Sequence, residues 1–243
     1  MTKVFAVTDN RFIFEHFAPI FEANGAEVDF YCSPKSGKMF AAEIAAGTMR
    51  PIILKEESET LIQGGYQFGF SCHSKQIFPA ALVNAMLCVN IHPGYNPHNR
   101  GWFPQVFSIL NKKPAGLTIH VMDEEIDHGA IIVQQKIEIQ SFDTSLTAYN
   151  KVIAAEVELF KQTLPQILDG SYPRKAMDEE GNYNSIKDYK ALLEIDLDKQ
   201  VTMREAIDYL RAMTHPPYKN AYFLDEKGRK IMVGLEIEAA GED

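Results

Sequence analysis

The first 32 residues restrict the fold more than any other feature of the chain. Lys3 to Thr8 (KVFAVT) reads as a buried strand, Asp9-Asn10-Arg11 breaks it, and Phe12 to Ala23 reads as a helix that ends at Asn24-Gly25. Glu27 to Cys32 then returns as a second strand. A strand, crossover helix and strand in this order call for an open, mostly parallel, Rossmann-like sheet with helices on its faces. Ligands of such α/β sheets lie beyond the carboxyl ends of the strands, which puts Asp9-Asn10-Arg11 at the ligand edge. Asn10 reads as a helix cap or a ligand contact. Arg11 and the helix N-terminus are candidates to receive a phosphate. No GxGxxG follows the first strand, so a dinucleotide site is not indicated.

Further along, Phe40 to Ala46 reads as a short helix, Pro51 to Leu54 as a strand, Glu56 to Glu59 as a solvated helix start, and Tyr66 to Ser71 as another strand. The polar stretch Cys72-His73-Ser74-Lys75-Gln76-Ile77 again falls on the ligand edge, with Lys75 a second candidate phosphate partner. Leu82 to Ala85 looks helical, and the apolar run Met86 to Ile91 is the strand that feeds the most polar loop of the chain. Trp102 to Leu110 reads as a helix with Pro104 in its first turn, where proline is tolerated. Ala115 to Val121 and Ala130 to Ile139 read as strands on either side of a loop at Asp127. Thr144 to Leu168 has helical periodicity, stopped by Gly170 and Pro173.

After Arg174 the character changes. Met177 to Asn184 reads as a loop, and Val201 to Met213 as a helix with a Thr202/Glu205 capping box. Ala221 to Leu224 and Lys230 to Glu238 read as a hairpin. The division expected is residues 1–175 as a main domain and 176–243 as a small C-terminal helix and hairpin extension.

The stretch Val89 to Gln105 (VNIHPGYNPHNRGWFPQ) concentrates the chemistry. Loops carry function when a rigid strand positions them. This one offers Asn90, His92, His98, Asn99 and Arg100, and a second polar punctuation follows at Asp123-Glu124-Glu125-Ile126-Asp127-His128-Gly129. An Asn and a His at the end of one strand, with an Asp from a later loop, make a compact proton-handling site. A side-chain amide can donate to an oxyanion, and an imidazole can donate or accept near neutral pH.

Asn90-Ile91-His92-Pro93-Gly94, then Asn99-Arg100-Gly101, then Asp127 with Gly129, resembles the catalytic signature of the formyltetrahydrofolate-dependent formyltransferases. The longer string His92 to Gln105 is most similar to the nucleotide-sugar N-formyltransferases of that family, and the resemblance covers about residues 1–175. It implies the formyltransferase fold, N10-formyltetrahydrofolate as co-substrate, no metal, and transfer of a formyl group to the amine of a dTDP-linked 4-amino-4,6-dideoxy sugar for bacterial surface polysaccharide such as O-antigen. It implies Asn90, His92 and Asp127 as the catalytic trio. Whether His92 or Asp127 is the base stays open at this stage. Folate contacts are implied around Cys72, His73, Ser74, Gln76 and Ile77, and around Ile126, His128 and Gly129. Sugar-nucleotide contacts are implied at Asn10, Arg11, Lys75, Tyr95, Arg100 and Trp102, and at Tyr218, Asn220 and Tyr222 in the tail. The alternatives are a 3-amino sugar, a UDP sugar or glycinamide ribonucleotide as acceptor, a hydrolase that releases formate, or a non-catalytic nucleotide-sugar binding protein.

Composition limits the remaining classes. A net charge of -9 argues against a general nucleic-acid binder, which needs a basic face. Cys32, Cys72 and Cys88 show no CxxC spacing and read as buried, reduced thiols. The histidines His92, His98, His120 and His128 fit no compact metal motif, and His120 reads as a packed or surface strand residue. No apolar run reaches the roughly 18 residues of a membrane helix, and no signal-peptide layout is visible, so a cytoplasmic enzyme is expected. The C-terminal hairpin offers edge strands, from which a homodimer is expected.

Overall fold

The computed structural model describes residues 1–241. The opening expectation is met: β1 (Thr2–Val7), α1 (Arg11–Ala23) and β2 (Ala26–Cys32) form a parallel β-α-β unit in which Val4 lies opposite Val28. Asn10 caps α1 by accepting from the Ile13 amide, and Gly25 leaves the helix at φ +67°. Then follow α2 (Ala41–Ala45), β3 (Met49–Pro51), α3 (Leu54–Ile62), β4 (Phe68–Cys72), α4 (Ala80–Ala85) and β5 (Leu87–His92). After β6 (Arg100–Gly101) come α5 (Pro104–Asn111), β7 (Ala115–Val121), β8 (Ile131–Ile137) and α6 (Ser145–Asp169). Short elements finish the chain: β9 (Tyr183–Asn184), α7 (Ile186–Ala191), α8 (Met203–Met213), β10 (Thr214–His215), β11 (Tyr218–Lys219), β12 (Ala221–Leu224) and β13 (Lys230–Val233).

The seven-stranded sheet runs in the order β3-β2-β1-β4-β5-β7-β8. The pairs from β3 to β5 are parallel, and β7 is antiparallel to β5. The strand order reverses between β1 and β4, which directs ligands to the carboxyl edge of this region.

By packing, the described residues form two units that interleave in sequence. The first holds residues 1–92, 117–135 and 153–179, and the second holds 93–116, 136–152 and 180 onward. The first unit contains most of the sheet. Phe5, Val7, Tyr31, Leu54, Leu61, Phe78, Leu82 and Cys88 form one buried cluster on it. On α6, Phe160 stacks on Phe17 with ring centroids 4.1 Å apart and meets Phe21 and Phe70 edge-on. In the second unit α5, α7 and α8 share a cluster around Val106, Phe107, Ile109, Tyr189, Ala212 and Met213. The Thr202/Glu205 capping box of α8 is formed as expected.

Beyond shifts of a few residues at element ends, several boundaries differ. The strand expected over Pro51–Leu54 stops at Pro51, because Leu54 and Leu61 are both fully buried on one face of α3. The loop expected over Met177–Asn184 contains β9, whose backbone pairs with β6. The second hairpin strand ends at Val233 rather than Glu238, and the short helix α7 carries no apolar period long enough to read. No helix among the described residues is long and apolar enough to cross a membrane.

Candidate active site

The site grows out of the end of β5. Alternation on this strand, with Val89 and Ile91 fully buried, leaves Asn90 and His92 to be met by polar neighbours. In the antiparallel register Asn90 lies opposite His120 of β7, and His92 lies opposite Thr118. Asn90 Nδ2 donates to Asp127 Oδ1 at 2.9 Å and to His120 Nε2 at 3.2 Å. His92 Nδ1 is 3.4 Å from the same Asp127 oxygen. The sequence-derived trio Asn90, His92 and Asp127 is therefore one contiguous cluster in the first unit, with Asn90 and His92 both more than nine-tenths buried. His92 Nε2 is buried and meets no hydrogen-bonding protein atom among the described residues. That nitrogen is the one through which the imidazole can reach a reactant.

Asp127 is delivered by a strained turn. It has φ +49°, and Gly129 has φ +102° with its Cα pressed so close to β7 that a Cβ would sit 2.2 Å from the Val121 carbonyl oxygen. His128 Nδ1 lies 2.5 Å from Asp123 Oδ2, closing the turn from the other side. The residue missed as a site member is His120. Its Nδ1 bonds the Val121 carbonyl at 2.9 Å, so that nitrogen carries the proton and Nε2 accepts from Asn90. Burial holds the His120 pKa below its usual value, against the opposing pull of Asp127. The alternation of Ala115–Val121 held this signal, since it fixes which residues of β7 share a face.

Of the expected folate contacts, Cys72 is fully buried, with a thiol pushed well above its usual pKa by burial. His73 sits at φ +60° with Nε2 2.7 Å from Glu156 Oε2, a carboxylate on α6 with no exposure. Ser74 Oγ bonds the backbone of Gln76. The Gln76 carboxamide spans Ile52 O and Leu54 N, so its side chain is engaged within the protein. Ile77 and Ile126 are exposed, at 68% and 39%. All three cysteines are free and buried.

The carboxyl edge is tied together by Asp9, another residue the sequence did not single out. Its buried carboxylate accepts from Ser33 N at 2.9 Å, Ser33 Oγ at 2.6 Å and Lys75 N at 2.7 Å, joining the ends of β1, β2 and β4. Lys75 points an exposed side chain outward from this knot. Arg11 is engaged differently from expectation. It donates to both oxygens of Glu43 at 2.8 and 2.9 Å and to Glu15 at 3.3 Å, so a phosphate there competes with two carboxylates.

The remaining expected contacts belong to the second unit. Asn99 is its polar hub: fully buried at φ +52°, it bonds Ser108, Asn111, Asn182 and Asn184 through its carboxamide. Arg100 is buried in β6, Trp102 is 38% exposed, and Tyr95 lies 5.3 Å under the Lys136 ammonium. Tyr218 is 69% exposed, Asn220 donates to Met213 O, and Tyr222 bonds Glu194 beneath Lys230. Among the described residues no group of three or more His, Cys, Asp or Glu is arranged to hold a metal ion.

Comparison with known proteins gives the following. A family model described as formyl transferase matches residues 72–164, and one described as N-formyltransferase dimerization C-terminal domain matches residues 188–239. The chain is 45% identical over 173 residues to dTDP-4-amino-4,6-dideoxyglucose formyltransferase of Mycobacterium bovis, covering 71% of this chain and 74% of the relative. A 4-N formyltransferase structure from Francisella tularensis is 58% identical with a TM-score of 0.96, over 98% of this chain and 99% of that one. A sugar N-formyltransferase structure from a Shewanella species is 42% identical with a TM-score of 0.93, over 99% and 100% of the two chains.

Proposed function

The chain belongs to the formyl transferase family and is a sugar N-formyltransferase, and we propose that it moves the formyl group of N10-formyltetrahydrofolate to the 4-amine of a dTDP-linked 4-amino-4,6-dideoxy sugar, most directly the glucose form. The observation that carries the chemistry is the cluster at the end of β5, where Asn90 and Asp127 are bonded and the buried Nε2 of His92 has no hydrogen-bond partner among the described residues. The 4-amino acceptor is supported by the names of the Mycobacterium bovis relative and the Francisella tularensis structure, and the folate donor by the formyl transferase family model that matches residues 72–164.

In this reading the acceptor amine attacks the formyl carbon. A new C–N bond forms, the bond from that carbon to folate N10 breaks, and the amine proton ends on N10. Negative charge develops on the formyl oxygen, and the Asn90 amide turns an N–H toward it, the preorganised donor that such reactions need. His92, held through Nδ1 by Asp127, takes the amine proton on Nε2 and returns it to the leaving nitrogen. Residues 1–175 carry the catalysis and 176–243 form the small extension. Backbone at residues 72–77 and 126–129 receives folate, and Lys75 meets the diphosphate. Tyr95, Arg100, Trp102, Tyr218, Asn220 and Tyr222 are assigned to the sugar nucleotide, and Asn10 and Arg11 act at the same edge through the capped start of α1.

The description of the C-terminal family model supports a homodimer, and exposed Ile231 and Met232 offer it apolar surface. Sedimentation at the 27.4 kDa monomer mass at micromolar concentration would refute that. The reading places the enzyme in the cytoplasm, supplying a formamido sugar for surface polysaccharide.

The test is mass spectrometry of dTDP-4-amino-4,6-dideoxyglucose after incubation with enzyme and N10-formyltetrahydrofolate. One formyl group is gained only when both are present. No gain with this sugar, but gain with the 3-amino isomer, shifts the acceptor. Asn90→Ala and His92→Ala each lower kcat by about 10²-fold or more, the usual cost of losing such a group, with folding intact. Near-normal turnover in either variant removes the mechanism.

A further inference from the structure

His120 lies outside the trio, yet it makes the second of the two hydrogen bonds that hold the Asn90 amide. A carboxamide has two faces of similar shape, one donating and one accepting, and burial alone does not choose between them. Asp127 Oδ1 takes one Asn90 proton at 2.9 Å. The other points at His120 Nε2 at 3.2 Å, the longer of the two contacts. His120 can accept there only because its Nδ1 proton is already given to the Val121 carbonyl at 2.9 Å. That carbonyl is main chain and can only accept. The tautomer of a ring with 1% exposure is thus dictated by backbone, and the tautomer dictates the amide.

We propose that His120 is a positioning residue for formyl transfer: its fixed Nδ1–H tautomer orients the Asn90 carboxamide and holds in reserve the N–H that turns to the oxyanion. The weaker of the two amide bonds is the one exchanged as charge develops on the formyl oxygen. Asp127 keeps the other proton throughout, so the amide pivots rather than flips. The proposal rests on Asn90 as the oxyanion donor, and the two can fail separately. Near-normal turnover in Asn90→Ala removes the donor itself, whereas slow Asn90→Ala with a fast His120→Phe removes only the role of His120.

Two substitutions and one spectrum test it. His120→Phe keeps the ring volume and deletes the acceptor. His120→Gln places a carboxamide oxygen within reach of the same Asn90 proton. The expected result is a kcat about 10- to 100-fold lower in His120→Phe, the size of effect that misorientation of a catalytic group produces, with both KM values within about threefold. His120→Gln recovers kcat to within about fivefold of the parent enzyme. In the unaltered enzyme at neutral pH, ¹⁵N imidazole spectra show His120 as the Nδ1–H tautomer. A His120→Phe kcat within about threefold of the parent overturns the proposal, as does a His120→Gln enzyme as slow as the Phe variant. An Nε2–H tautomer or an imidazolium in the spectrum overturns it without any variant having to fold.

Discussion

Gly129→Ala tests whether the backbone of the Asp127 turn sets the catalytic geometry. The added Cβ would stand 2.2 Å from Val121 O and 3.3 Å from Val121 C, where ordinary contact begins at 3.4 Å. Both atoms are main chain in a sheet strand, so the turn gives way rather than β7. Alanine at φ +102° also occupies backbone space that L residues avoid. Together these cost about 1–3 kcal/mol, the range for a strained backbone residue. In a chain of this length that lowers Tm by about 2–12 °C. The effect on rate is larger. The turn must retreat by about 1 Å, a displacement that costs about 10²-fold when it separates catalytic groups. Asp127 is two residues away, and its 2.9 Å bond to Asn90 has little slack. Initial rates with both substrates saturating, alongside a thermal melt, are expected to show kcat about 10²-fold lower in a protein that is folded at the assay temperature. A kcat within about threefold of the parent would refute the claim that the turn sets the site.

Two further perturbations probe the scaffold. Asp9→Ala leaves two amides and one hydroxyl at the sheet edge without their acceptor, at about 3 kcal/mol, and urea denaturation should show it; a loss under about 1 kcal/mol would mean the knot is dispensable. The Arg11 guanidinium holds the Glu43 carboxyl at about 2, below its usual 4.5. A depressed carboxylate contributes stability that is fully present above pH 4.5 and is lost as pH falls from 4.5 through about 2. Glu43→Gln should flatten the pH dependence of the denaturation midpoint across that window, and an unchanged slope there would remove the Arg11 pair as its source.

What could be read from the chain follows the range of the forces involved. The β1-α1-β2 unit, the α8 capping box and the hairpin at Ala221 rest on neighbours a few residues apart, and their signals are local. The short pairing of β6 with β9 brings together residues 100–101 and 183–184, and nothing within either segment announces the other. The trio was legible because three residue types fall in a recognisable pattern. His120 was not, since its role comes from lying opposite Asn90, thirty residues away in sequence, and from a backbone carbonyl that fixes its tautomer. Arg11 illustrates a partner that the sequence does not announce. A basic residue at a helix start suggests a phosphate, but Glu43 occupies the guanidinium, and the Glu43 position was read only as part of a helix. Asn99 was noted as a polar loop residue, yet its buried carboxamide is spent on four side chains of the second unit. Asp9 likewise depends on two distant loops.

The antiparallel return of β7 beside β5 has an architectural consequence. The ladder from Val89–Val121 to His92–Thr118 sets Asn90 against His120 by strand pairing alone, whatever the length of chain that joins the two strands. Residues 93–114 form that joining segment and fall in the second unit. Insertions or exchanges within it leave the spacing of the reactive groups untouched, whereas a one-residue deletion inside β7 turns His120 to the opposite face. The ladder that sets Asn90 against His120 and the segment that joins its two strands are thereby separable stretches of one chain, so the segment can be exchanged by grafting without rebuilding the ladder.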